Sequence, residues 1–298
     1  MQALAYARGH KPDAVIGVGG GSVLDTAKLV AAFAATPSKH TDTCLRADTA
    51  PSRSIHLTLV PTTAGSGAEA THFAVLYREG KKRSVTGQAL YADTIVLDPE
   101  LVLSADPLHK AAAGLDAFCQ CVESLWSINQ TSNAREWALD GLTILAEHLV
   151  SFWSGEQPSA RAMQWASHLS GKAIDETKTT GPHALSYFLT ARYQVPHGIA
   201  VGSSIGHFID HHNQVLNSSS VESVRQLAES MEIINGTLGL RGSEAGRDFF
   251  RDLFATLQLK NPEDYWPSTP NERKEWVASA NQQRLQNHPT SLPESLSN

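Results

Sequence analysis

The chain has 298 residues, 41% of them hydrophobic and 18% charged, a mix too apolar for a disordered chain and too polar for a membrane protein. Its 24 basic and 30 acidic residues give a net charge of −6, which leaves no basic footprint for nucleic acid. No apolar run approaches the roughly 18 residues a membrane span needs. Residues 1–11 hold no signal-peptide core, and Cys44, Cys119 and Cys121 are too few for a disulfide scaffold, which points to a reducing cytoplasm.

In chain order, the first half alternates strand and helix. Ala14–Val18 is a short β-type run that ends in Gly19-Gly20-Gly21-Ser22, and Val23, Ala27, Val30 and Ala31 then form a helical stripe. Residues Pro37–Arg53, rich in Thr, Ser, Pro and Asp, read as a loop. Ile55–Val60 is a second β-type run, Phe73–Tyr77 and Arg83–Thr86 read as a hairpin, and Ile95–Leu97 is a further short strand. From Pro107 helical patterns dominate: Lys110–Ser127, Ser132–Ser154, Ser159–Thr177, Gly198–Asn213, Ser220–Met231, Gly242–Gln258 and Asn271–Gln283. The Ser- and Pro-rich tail, Pro289–Asn298, is expected to fray. The change of character puts a domain boundary at Ala105-Asp106-Pro107, with an α/β unit at 1–105 and an all-α unit at 106–298.

Two glycine-rich turns follow strands. Gly19-Gly20-Gly21-Ser22 opens a helix, where glycine lets a phosphate approach the backbone and the helix N-terminus offers free N–H groups. The same turn also reads as an ordinary capped helix start, because Ser22 and Asp25 have capping-box spacing. The second turn is Pro61-Thr62-Thr63-Ala64-Gly65-Ser66-Gly67-Ala68-Glu69. Two such turns at the carboxyl ends of neighbouring strands would form one crevice.

Asp116 and Gln120 are four apart and share a helix face, and His183 and His197 each follow a proline, 14 residues apart. One carboxylate and two imidazoles can hold a divalent transition metal with positions open for substrate. A lone histidine, such as His56, His72 or His288, is more often a satisfied structural group.

These residues, in this order, resemble the iron-containing (group III) alcohol dehydrogenase family. The matching stretches are Gly19–Lys28, Pro61–Glu69, Asp98-Pro99-Glu100, Gly114-Leu115-Asp116-Ala117 and Pro196-His197-Gly198, within a resemblance running from about Asp13 to Pro289. It implies a dehydroquinate synthase-like architecture: an incomplete Rossmann-like nucleotide-binding domain followed by an all-helical domain that binds metal and substrate. Gly19, Gly20, Gly21 and Ser22, with Asp25 beside them, would then meet the pyrophosphate of NAD or NADP. Thr62, Thr63 and Ser66 would lie along the cofactor towards the nicotinamide.

Asp116, His183 and His197 would hold iron or zinc, with Gln120 as a fourth candidate where the family usually has histidine. His183, His197 or a water relay could each move the proton. The implied reaction interconverts a primary alcohol and an aldehyde. Gln120–Ser127 and Lys178–Tyr187 are most similar to the phosphonoacetaldehyde-reductase-type branch, which makes Lys178, with Thr179 and Thr180, a candidate for an anionic substrate group.

The alternatives are a non-redox, dehydroquinate-synthase-like enzyme and a truncated, non-catalytic member. Family members begin with a further strand–helix–strand unit, whereas here Met1–Ala14 precede the first strand. The resemblance is compatible with a homodimer, and charge and composition give neither nucleic acid nor membrane as partner.

Overall fold

The computed structural model describes residues 2–78, 81–218 and 224–297. Its first part follows the expected alternation. A helix, α1 (Gln2–His10), leads into β1 (Ala14–Gly19), α2 (Gly21–Phe33) and β2 (His56–Pro61). β1 and β2 pair in parallel from Ala14–His56 to Gly19–Pro61. The hairpin is β3 (Phe73–Arg78) against β4 (Lys81–Thr86), its expected turn residues Glu79 and Gly80 lying outside the described residues. β5 (Thr94–Ile95) adds to β2, so the parallel sheet has the order β1-β2-β5. Leu57 and Leu59 point to one face of this sheet, where α2 covers them with Leu24, Ala27 and Ala31. On the other face Ile16 and Val18 stay exposed.

Several expectations need correction. The loop read over Pro37–Arg53 contains a helix, α3 (Ser38–Arg46). Its Thr and Ser content hid an amphipathic pattern that buries Thr41 and Cys44, and Arg8 of α1 donates to Thr41 Oγ1 at 2.6 Å. Nor is there a capping box at the first glycine turn. Gly20 is the N-cap of α2 and no side chain caps it, because Ser22 already lies inside the helix. Asp25 instead accepts from the Val75 backbone N–H at 2.9 Å and pairs with Lys28 at 3.7 Å, tying α2 to the hairpin.

After α4 (Pro99–Leu103) come the long helices α5 (Pro107–Trp126), α6 (Ser132–Trp153), α7 (Gln157–Thr177), α8 (Gly181–Tyr193) and α9 (His197–Ser218). α8 was not expected from the pattern. The start of α5 is built as the sequence implies: Asp106 accepts from the His109 N–H at 3.0 Å and Pro107 takes the first turn. α10 (Arg225–Leu238) and α11 (Ala245–Thr256) follow, residues 220–223 of the expected helix lying outside the described residues. The helix expected at Asn271–Gln283 is broken into α12 (Pro270–Ala278) and α13 (Gln282–Leu285). The tail is packed rather than frayed, with Leu296 buried and Ser295 Oγ 2.9 Å from His207 Nδ1. Among the described residues no helix is long and apolar enough to cross a membrane.

Two glycines set how closely the elements approach. A Cβ on Gly198 would lie 1.9 Å from the Ala112 carbonyl oxygen, so only glycine lets α9 start against α5. Gly67, with φ +57°, meets Gly171 of α7 so closely that a Cβ would lie 2.4 Å from its Cα.

Candidate active site

The parallel pairing of β1 and β2 brings the glycine turns together. The Thr62 N–H donates to the Gly19 carbonyl at 3.0 Å, and a Cβ on Gly21 would lie 2.7 Å from Ser66 Oγ. The uncapped first turn of α2 opens beside this contact. A cavity of about 270 Å³ runs from here to the helical part. Gly21, Ser22, Asp25 and Ser66 line one end, while Asp116, Gln120, His183 and His197 line the other. Gly19, Gly20, Thr62 and Thr63 form the turns but not the cavity wall.

α5 carries Asp116 and Gln120, α8 carries His183 in its first turn, and α9 begins with His197. Ligand atoms of Asp116, His183 and His197 all lie within 4.8 Å of one another. His183 Nε2 is 3.2 Å from Asp116 Oδ1, and His197 Nε2 is 3.9 Å from the same oxygen. The His197 ring stacks on Tyr187 and its Nδ1 lies 3.4 Å from Ser186 Oγ.

Glu123, a further helical turn along α5, is the residue that sequence reading missed. It is wholly buried and its carboxylate contacts His183 Nδ1. It also accepts from the Thr180 backbone N–H at 2.8 Å and the Thr180 hydroxyl at 2.9 Å. Glu123 thus fixes the start of α8 and turns Nε2 of His183 towards Asp116. The signal was legible, since Asp116, Gln120 and Glu123 stand at i, i+4 and i+7 on one helix face. Burial opposes protonation of His183, but Glu123 and Asp116 outweigh it and push the imidazole up to about 10.

Gln120 is buried and engaged on both sides. Its carbonyl oxygen accepts from Ser170 Oγ at 2.8 Å, and its amide reaches the Ser66 carbonyl at 3.5 Å. Lys178 sits apart from the cavity that holds the triad. Its ammonium donates to the Asp175 carbonyl at 2.8 Å and lies 3.3 Å from His72 Nε2, over the Phe73 ring. Asp175 in turn contacts the His72 ring and accepts from the Tyr91 hydroxyl, so this cluster pins the hairpin to α7.

A small parallel α/β sheet whose glycine turns face a carboxylate–imidazole cluster on a helical body defines a fold class of an α/β unit followed by an all-helical unit. A family model described as iron-containing alcohol dehydrogenase matches residues 1–99, and the C-terminal model of the Fe-containing alcohol dehydrogenase family matches residues 110–291. The chain belongs to the iron-containing alcohol dehydrogenase family.

Phosphonoacetaldehyde reductase of Streptomyces viridochromogenes is 36% identical over 220 residues, 70% of this chain and 55% of that one. Sulfoacetaldehyde reductase of Bilophila wadsworthia is 30% identical over 258 residues, 85% of this chain and 66% of that one. An iron-containing alcohol dehydrogenase of Thermotoga maritima superposes with a TM-score of 0.79 at 28% identity, covering 100% of this chain and 77% of that one. Sulfoacetaldehyde reductase from Bifidobacterium kashiwanohense, solved with NAD+, shares the fold with a TM-score of 0.85 at 24% identity, covering 99% of this chain and 77% of that one. The chain thus spans about half to two thirds of the length of these curated relatives.

Proposed function

We propose that this chain interconverts a primary alcohol and an aldehyde with a nicotinamide cofactor and a divalent metal, and that its aldehyde carries an anionic group such as a phosphonate. The observation that carries this reading is the shared cavity, with the glycine turn at one end and the Asp116–His183–His197 cluster at the other. Asp116, His183 and His197 would hold the metal, iron or zinc. Their donor set of one carboxylate and two imidazoles fits such an ion and leaves positions open. When bound, the metal supplies a Lewis acid at the substrate oxygen and the nicotinamide carries the hydride.

The chain's own residues do the positioning. Glu123 holds His183 by Nδ1, so that its other nitrogen faces Asp116. Gln120, the fourth candidate ligand on the same wall, braces Ser66 against α7. The uncapped start of α2, with Gly21 pressed against Ser66, gives backbone donors to a pyrophosphate. Phe73, Val75 and Ile174 add apolar surface to the cavity wall. The cofactor unit would comprise residues 1–105 and the metal and substrate unit residues 106–298. A cytoplasmic homodimer acting on a small molecule completes the reading.

The test is metal analysis of the purified protein together with aldehyde-dependent oxidation of NADH and NADPH. Stoichiometric iron or zinc and cofactor consumption are expected. Folded protein that takes up neither metal nor cofactor would defeat the reading.

A further inference from the structure

The cavity wall contains a cation outside both the glycine turns and the metal cluster. Arg284 lies on α13 and lines the same cavity as Asp116, His183 and His197. It also lines a second cavity of about 230 Å³ with Lys178, Ser84, Thr86 and Asn287, so it stands between the two. Its guanidinium is half-buried and makes no hydrogen bond or ion pair with the described residues. A partly desolvated guanidinium ordinarily recovers its lost hydration from a carboxylate.

The backbone around Arg284 is held in place. Asn281 Oδ1 accepts from the Arg284 N–H at 3.0 Å, the Asn281 N–H donates to the Ala184 carbonyl at 3.2 Å, and Asn287 Nδ2 donates to the Thr179 carbonyl at 3.1 Å. These bonds tie α13 and the residues beyond it to the start of α8, a few residues from His183. Burial lowers the Lys178 pKa despite nearby Asp175, and the positive charge of Arg284 adds to that lowering. Arg284 and Lys178 are thus close enough for each to feel the other's charge, with Asp175 beside Lys178 as well.

Building on the function proposed above, we propose that Arg284 is the specificity-determining residue for an oxyanion, a phosphonate or sulfonate, carried by the aldehyde. Thr179, on the same wall, is placed to contribute a hydroxyl. Lys178, the sequence candidate, acts behind it as a fixed positive charge, since its ammonium already serves the Asp175 carbonyl and His72. A planar guanidinium offers paired N–H donors that match two oxygens of such a group, which a lysine does not. The same chemistry could serve a phosphate of the cofactor, and the experiment separates the two sources.

The variants are Arg284→Gln and Arg284→Lys, each assayed with phosphonoacetaldehyde and with propanal. Binding of phosphonoacetate, an anion that cannot react, is followed by calorimetry. With Arg284→Gln, kcat/KM for phosphonoacetaldehyde should fall about ten- to a hundredfold, mainly through KM, as expected for the loss of a charge-assisted hydrogen bond. Propanal turnover and KM for the reduced cofactor should stay within about twofold. Arg284→Lys should recover only part of the loss.

Phosphonoacetate binding to Arg284→Gln as tight as to the wild type would overturn the proposal. So would an equal loss for both aldehydes, or a loss confined to cofactor KM. The calorimetric arm needs no turnover. If the wild type reduces neither aldehyde but loses phosphonoacetate binding on substitution, the anion site stands and the proposed reaction fails.

Discussion

Glu123 shows how a residue that need touch neither substrate nor metal can decide the site. Its carboxylate accepts from three groups of the Thr180–His183 segment in addition to contacting the His183 ring nitrogen. Glu123→Gln keeps the volume but removes the charge behind the imidazole. Metal affinity should fall about 10- to 100-fold, measured by competition with a chelator, while the fold persists. Unchanged affinity would mean that Glu123 only packs.

Gln120 gives the opposite case. The family resemblance puts histidine at this position, one turn from Asp116, and imidazole is the better ligand for a transition metal. Gln120→His should therefore tighten metal binding by about tenfold or more, an energy of about 1.4 kcal/mol. A chelator series on the two proteins reads this directly, and weaker binding would show that the braces to Ser66 and Ser170 matter more.

Between elements, close backbone approach positions the candidate ligands. α9 begins at His197, and the next residue, Gly198, packs on α5 where a Cβ would strike the Ala112 carbonyl. Gly198→Ala must push α9 away from α5, carrying His197 from Asp116. A destabilisation of about 1–3 kcal/mol is expected, seen as a lower Tm, with weaker metal binding alongside it. A variant with wild-type Tm and metal affinity would show that the helices relax without cost.

The strand–helix rhythm of the first part was readable because β1 and β2 are short runs of Val, Ile and Leu closed by Gly or Pro, and small apolar residues recur along α2. α3 and α8 were missed for different reasons. α3 is largely polar, and tertiary contacts from Arg8 hold it. α8 begins in a Gly-Pro sequence that reads as a turn, yet proline at a helix's first positions loses no hydrogen bond.

At the scale of the whole molecule, the helical core holds histidines that burial keeps neutral. His207 is brought down to about 4 and His288 to about 3, and His212 lies well below its ordinary value, burial being the main cause in each. In the unfolded chain the same imidazoles titrate near about 6.5. Below that pH the unfolded state takes up protons that the folded state refuses. Their contribution is thus present above about pH 6.5 and is lost as pH falls towards 4 and 3. Tm of the metal-free protein should drop between about pH 7.5 and pH 5, and His212→Phe should drop less. Equal pH dependence in the two proteins would remove His212 from this account.

Local order was within reach of the sequence by itself: the alternation of strand and helix, the two glycine turns, the long helices, and Asp116, His183 and His197 as a group that the structure brings together. Each of these rests on short-range periodicity or on residue chemistry at a fixed spacing. Only the tertiary structure decided that Gln120 braces a loop, that Lys178 serves the hairpin, that Glu123 stands behind His183, and that Arg284 reaches the cavity. Arg284 is 106 positions beyond Lys178 (284 − 178) and belongs to a four-residue helix with no periodic signal. Its place is set by hydrogen bonds to α8 and to Thr179 that no local pattern encodes. Which polar group lines the cavity depends on the packing of the entire chain, and a local pattern cannot encode that.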